Sequence, residues 1–261
     1  MGMGNVNSLK GILLFAVRNG YREVRISKGL LPLMISDQGE KAYINGISPV
    51  SGELISNIKR DYLANNPSLI LSVSEQEFFA SSVGEDLIFK HLPLVTLDKN
   101  INTKFASALY AKRGIVVLTA QDKEQRALKL YKAAAYITEN RSSTIVIIER
   151  SKCFSVKQSR SRIVNVYRPE VELNSLIRMT GSLDCDCIMV PDMNEEDAIK
   201  TLEFLAGEKM VLLSTTWEMA QNISEDRIIY ADYLESEQLR RSNRPSVTVN
   251  KEVLNENLKG E

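Results

Sequence analysis

The chain has 261 residues, enough for two modest domains or one large α/β domain, with the 44% hydrophobic and 25% charged content of an ordinary soluble protein. Thirty-three basic residues balance thirty-three acidic ones, so no overall field draws it toward nucleic acid or an anionic membrane. The three cysteines (Cys153, Cys185 and Cys187) are an odd count, two of them one residue apart, which argues against a disulfide framework and for a reducing compartment.

Leu9, Ile12, Leu13, Ala16 and Val17 recur at helical spacing and predict an opening helix that ends near Asn19 and Gly20. Its apolar run is too short to span a bilayer, and no small-residue cleavage site follows. Strand signals come next at Glu23 to Ser27, Leu33 to Ile35 and Lys41 to Ile44, separated by Gly29, Pro32 and Gly39. Pro49 marks a helix start, with Leu54, Ile55, Ile58, Tyr62 and Leu63 as the apolar face. Further strands are expected at Leu69 to Val73, Glu77 to Ser81 and Leu87 to Leu92, making residues 1–95 an α+β domain. The chain's one histidine, His91, falls in the last of these strands and reads as structural. Residues 96–113 form a linker and a helix around Phe105 to Lys112.

After Gly114 the pattern changes. Continuous apolar runs at Ile115 to Leu118, Thr144 to Ile148, Cys187 to Val190 and Met210 to Leu213 alternate with helices, as in a parallel sheet covered on both faces. Within Cys153 to Tyr167, period-2 segments around Gln158-Ser159-Arg160 predict an inserted β-hairpin, made basic by Lys152, Lys157, Arg160, Arg162 and Arg168. Phe154 and Tyr167 are its only aromatics, too few for base stacking beside such a patch. Cys185 and Cys187 are expected on one strand face as buried structural thiols; two thiolates without further ligands do not complete a zinc site. Residues 114–234 are the second domain, and 235–261 a polar tail containing Arg240, Arg241 and Arg244.

The first of these strands runs through a short turn into a helix over about Lys123 to Glu139, the position of a phosphate-binding G-x-x-x-x-G-K-[ST] loop. The loop chemistry is missing. No glycine follows Gly114 until Gly181, Arg126 stands at the lysine position, and Ala127 stands at the Mg²⁺-binding hydroxyl position.

With those landmarks, the chain resembles the PilT/GspE-like secretion ATPases, the motors of type IV pili and type II secretion. Glu23 to Met34 is similar to the family's S-D-L-H-L-S-x-G-x-P-P-M segment, and Gly39-Glu40 to the Gly-Glu after it. Asp184 to Met193 is similar to the Walker B segment D-P-D-I-I-L-V-G-E-M, and Arg178 matches the first arginine of A-L-R-x-x-L-R. The resemblance runs to about Asn222. It implies a PAS-like N-terminal domain followed by a RecA-like domain, here truncated, with no room for the helical C-terminal subdomain.

Carried over residue by residue, the family's functional groups mostly fail. Ala120, Lys123 and Gln125 replace loop glycines whose freedom lets backbone N–H groups surround phosphate. Asp122 and Glu124 would set carboxylates near a triphosphate, where a like-charge pair at about 4 Å costs roughly 4 kcal/mol at a protein surface. Glu149 ends the second strand, where the family places carboxylates for metal and water chemistry, but Arg150 and Ser151 follow it. Asp192 takes the Walker B glutamate position one methylene short, a shift of about 1 Å that can cost on the order of 100-fold in a positioned site. Pro191 and Asn194 flank it where the family has glycine and arginine, Ser182 replaces the second arginine, and no histidine lies near Ser214 to Trp217. Taken alone, Arg126 reads as a helix-surface residue and Asp192 as a turn former or helix cap.

The expectation is therefore a pseudo-ATPase: a structural or regulatory component of a pilus or secretion assembly, without cofactor. It would be cytoplasmic and reach the inner membrane only through partners. Those partners would be assembly proteins, a competent motor of the same family, or further copies of itself. Two alternatives stand beside it. One is a residual ATPase using ATP and Mg²⁺ through Arg126, Glu149 and Asp192. The other is an unrelated interaction module acting through the basic segment or the tail.

Overall fold

The computed structural model describes residues 8–44, 47–63, 68–97, 101–149, 152–167 and 171–232. Helix α1 (Leu9–Arg18) begins where the Ser8 hydroxyl accepts from the Gly11 N–H, and it buries Ile12, Leu13 and Ala16. Strands β1 (Tyr21–Ile26), β2 (Leu33–Ser36) and β3 (Lys41–Tyr43) follow, then α2 (Gly52–Ile58), which runs on as a π-helical turn over Lys59–Leu63. Strands β4 (Ser68–Val73), β5 (Gln76–Val83) and β6 (Asp86–Leu92) complete an antiparallel sheet in the order β3-β2-β1-β6-β5-β4. Ser74 and Glu75, both left-handed (φ 47 and 68), form the two-residue turn between β4 and β5 that the strand twist favours. Val24, Ala80 and Phe89 meet across this sheet and pack with Phe78 and Leu87 against the apolar faces of α1 and α2. His91 bonds Gln76 Oε1 at 2.8 Å and leans on Phe78, and burial lowers its pKa.

The helix expected from Pro49 starts only at Gly52. Val50 is held extended by accepting from the Gly29 N–H and donating to the Leu30 carbonyl, and Ser51 supplies the cap for Leu54. Strand β7 (Leu94–Val95) then leads to α3 (Thr103–Ala108), which is shorter and earlier than expected because Asn102 caps it through the Lys104 and Phe105 N–H groups.

The second sheet is parallel throughout. Its elements are β8 (Gly114–Thr119), α4 (Lys123–Asn140), β9 (Thr144–Glu149), β10 (Ser155–Val156) and β11 (Arg162–Tyr167). They continue with α5 (Leu173–Gly181), β12 (Cys187–Val190), α6 (Glu196–Leu205), β13 (Met210–Thr215), α7 (Trp217–Ala220) and β14 (Ile228–Ala231). Six of the strands pair in the order β11-β9-β12-β13-β8-β14. Ile115 and Val117 face the cluster under α5 and α6, whereas Val116 and Leu118 face the cluster under α4. Burial on both faces explains why these strands carry no polar alternation. Among the described residues no helix is long and apolar enough to cross a membrane.

The expected hairpin does not form. β10 pairs parallel with β7, and β11 pairs parallel with β9, Ile163 opposite Ile145. The Ser155 N–H goes to the Pro93 carbonyl and that of Arg162 to Ser143, while the Arg160 N–H bonds the Thr138 carbonyl at the end of α4. Gln158 to Arg160, the centre of the period-2 reading, lies in the loop between β10 and β11; the strands form on either side of it, and their neighbours lie elsewhere in the chain. Nor is the segment a uniform basic surface: Lys152 is buried, while Lys157, Arg160 and Arg162 are exposed. Arg150, Ser151, Arg168 and the 235–261 tail lie outside the described residues. The cysteines are buried, as expected, and none is in a disulfide, but Cys185 and Cys187 do not share a face. Cys185 precedes the strand and packs under α6 with its sulfur 3.8 Å from Lys209 Nζ, whereas Cys187 points into the α4 cluster.

Gly114 has φ +109, and a Cβ there would lie 2.6 Å from Ile229 Cγ2 on β14. Gly114→Ala is therefore expected to cost about 2 kcal/mol, from backbone strain and displacement of the edge strand. Chemical denaturation of the variant beside the parent checks this.

Candidate functional site

The chain between β8 and α4 is the turn where a phosphate loop would sit. From Ala120 to Gln125 no residue is left-handed, so the alternation that builds an anion-binding nest is missing. Some of its backbone donors are also engaged. The Ala120 N–H bonds the Thr215 carbonyl at 3.2 Å, and the Gln125 N–H bonds Asp122 Oδ1 at 2.9 Å. The Arg126 N–H goes to the Asp122 carbonyl. Asp122 thus caps the Gln125 N–H and sets a carboxylate at the helix end that would otherwise attract an anion.

Arg126 fills the space above it. Nη1 donates to the carbonyls of Ala120 (3.0 Å) and Gln121 (2.6 Å), while Nε and Nη2 donate to Asp192 Oδ1 at 3.1 and 2.7 Å. Lys123 Nζ reaches the other Asp192 oxygen at 3.2 Å. The turn therefore directs two carbonyls at a cation where a phosphate loop directs N–H groups at an anion. Arg126 is only 8% exposed, which corrects the expectation of a surface arginine. Asp192 is likewise no helix cap, since α6 is preceded by Glu195 at that position. Its loop is tied to the end of β13 by Met193 N–H to the Ser214 carbonyl, Ser214 Oγ to the Pro191 carbonyl and Thr215 Oγ1 to the Met193 carbonyl. The stretch without its expected histidine is thus the strut that positions Asp192.

Glu149 lies across from this pair, 5% exposed at the end of β9. Its Oε1 accepts from the Tyr131 hydroxyl at 2.7 Å and lies 3.9 Å from Lys152 Nζ, and its Oε2 has no hydrogen-bond partner. Burial pushes its pKa up to about 7, partly opposed by Lys152 and Tyr131. Burial also lowers that of Lys152, and burial followed by the Glu149 charge raises that of Tyr131.

Lys123, Ala127, Glu149 and Asp192 converge on one cavity of about 150 Å³ together with Cys153, Pro191 and Asn194, all of them singled out in the sequence. Ala120 serves only through its backbone, Gln125 is exposed, and Arg178 is exposed on α5. Sequence reasoning did not single out Tyr131, and it counted Lys152 as part of a basic hairpin. On the far side, Asp232 after β14 accepts from the Thr119 N–H and hydroxyl and from Lys129, pinning the start of the turn. Among the described residues no three His, Cys, Asp or Glu side chains gather as a metal site.

This fold is similar to that of secretion-type ATPases of known structure. The pilus retraction motor PilT with bound ADP superposes with a TM-score of 0.59 at 16% identity, over 80% of this chain and 66% of PilT. The ATPase DotB of Legionella pneumophila gives 0.55 at 14% identity (84% of this chain, 70% of DotB), and DotB of Yersinia pseudotuberculosis gives 0.52 at 12% (87% and 72%). The chain thus spans about two thirds of the length of these proteins. No protein-family model matches the sequence. No curated protein is similar to it in sequence.

Proposed function

We propose that this chain is a pseudo-ATPase built on the secretion-motor fold. It serves as a structural or regulatory component of a type IV pilus or type II secretion-like assembly through protein contacts. One observation supports this reading: in the turn between β8 and α4, Arg126 is bonded to the carbonyls of Ala120 and Gln121 and to Asp192. Residues 1–95 are read as a PAS-like domain, 114–234 as the RecA-like domain, and ATP and Mg²⁺ as no part of its working state. Subunit contacts need packed surface, whereas hydrolysis needs a few groups placed to within about 1 Å. A chain can therefore keep the first after losing the second. It would work in the cytoplasm, at the inner membrane only through its partners. The fold likeness supports such a setting by analogy.

Residual ATP binding has one observation in its favour, since Glu149 and Asp192 do line a common cavity. Its volume of about 150 Å³ is below the roughly 300 Å³ at which ordinary ligand pockets begin. A nucleotide would also have to displace the Arg126 guanidinium. Turnover abolished by Asp192→Ala would establish that reading.

The assembly role is tested by mixing the purified chain with a competent motor ATPase and the platform proteins of its own cell. Co-elution, with a changed turnover rate of the motor, is the expected outcome. A chain that associates neither with itself nor with any assembly component contradicts it.

A further inference from the structure

The face formed by α3, α4 and the end of β14 takes no part in the closed turn. Phe105, Leu118 and Tyr230 wall a cavity of about 210 Å³ there, with Lys129, Lys132 and Asp232 beside them. Phe105 and Tyr230 lie ring against ring, their centres 4.9 Å apart. Just past α3, Tyr110 stands 52% exposed and meets Tyr136 edge-on at 6.2 Å. Protein interfaces concentrate aromatic residues and cations in this way, whereas a merely solvated helix face has no need of them.

The charge is one-sided. Between residues 101 and 119 and between 127 and 141, Lys104, Lys112, Arg113, Lys129, Lys132 and Arg141 are opposed by Glu139 alone. Asp232 adds one carboxylate, and Lys129 meets it at 2.7 Å. The first turn of α4 is matched locally: Asp122 caps it, Glu124 meets Arg22 at 2.6 Å, and Lys123 and Arg126 meet Asp192. The chain as a whole is neutral, so this positive excess is a local feature and complements an acidic partner. Nucleic acid would meet the cations, but the rings are paired with one another and form no row of open faces for bases. A membrane takes apolar side chains that protrude into it, whereas the apolar surface at the centre of this face is a hollow. The hollow suits one large side chain, since a benzene ring sits in a cavity of about 150 Å³.

We propose that this face docks an acidic protein segment carrying one leucine or aromatic anchor. The anchor enters the cavity against Phe105 and Leu118, and flanking carboxylates reach Lys132 at the cavity and Lys112 beyond Tyr110. This gives the protein contacts proposed above a surface and a partner chemistry, and it rests on that reading only in expecting a protein partner.

Panning a random dodecapeptide display library on the full chain tests this. Selected peptides are expected to carry Asp and Glu around a Leu, Phe or Trp, and the best synthetic copies to bind with dissociation constants of roughly 10 μM. Serine in place of the anchor should abolish binding, and raising salt from about 0.05 to about 0.5 M should weaken it about ten-fold. Tyr110→Ala and Lys132→Glu, each checked for folding by its melting curve, should each weaken binding about ten-fold or more. A single-stranded oligonucleotide and phosphatidylserine vesicles should bind more weakly than the peptides. Selection of basic or uncharged peptides, or of none, overturns the proposal. So does peptide binding that both variants retain, tighter binding of the oligonucleotide or the vesicles, or self-association that Lys132→Glu dissolves. Because only the purified chain and peptides are used, failure here would leave co-elution with a motor intact, and loss of co-elution would leave the peptide result intact.

Discussion

Arg126→Met is expected to destabilise the chain by about 3 kcal/mol, far more than the roughly 0.5 kcal/mol typical of a surface helix substitution. The guanidinium makes four hydrogen bonds while 8% exposed. Methionine matches its length but leaves the Ala120 and Gln121 carbonyls unsatisfied and Asp192 with Lys123 alone. Breaking a buried pair costs roughly 3 to 5 kcal/mol, and the low end applies because the Asp192 side chain keeps 21% exposure. For a protein of this size the melting midpoint should fall by roughly 6 to 12 °C. Arg126→Lys keeps the charge without the fork and should lose less. The double variant Arg126→Met with Asp192→Leu should be more stable than the sum of the single losses, because each residue's cost comes largely from stranding the other. Strict additivity would mean that the pair does not hold the turn closed.

The second large effect concerns pH. Glu149 has a folded pKa of about 7 against an ordinary 4.5, so between those values the folded chain holds a proton that the unfolded chain has released. Stability is therefore fully present below about pH 4.5, falls as pH rises, and levels off above about 7. A gap of about 2.5 units corresponds to about 3 kcal/mol at 1.36 kcal/mol per unit. Lys152, shifted downward, acts in a more alkaline window and with the opposite sign. The check is denaturant unfolding at about pH 5 and about pH 8 for the parent and Glu149→Gln. The difference between the two proteins should shrink or reverse in favour of glutamine as pH rises, whereas a pH-independent difference would contradict the account. Tyr131→Phe should lower stability by roughly 1 to 3 kcal/mol more, by removing the Oε1 donor.

The sequence carried the parallel sheet clearly, because burial on both faces writes unbroken runs such as Ile115 to Leu118. It carried less of what long-range pairing decides. Strand character within Cys153 to Tyr167 was visible, but the place of β11 and its partner β9 were not, since local alternation carries no information about the neighbour. The site shows the same limit. Arg126 and Asp192 were each recognised as a changed motif position, and each read as ordinary surface when taken alone. Only the fold, which brings residues 126 and 192 together, reveals that the longer base and the shorter acid match. Lys152 was misplaced for a similar reason: lysine is rarely buried without a partner, and Glu149 meets it there only because of how the chain leaves β9.

The most direct measurement of the central claim is thermal unfolding of the full chain with and without Mg-ATP at several millimolar. A site closed by Arg126, Asp122 and Asp192 should give no shift with ATP, ADP or Mg²⁺. A saturable rise in the midpoint would contradict it, because a nucleotide at about 100 times its dissociation constant adds roughly 2.7 kcal/mol to a folded state that binds it.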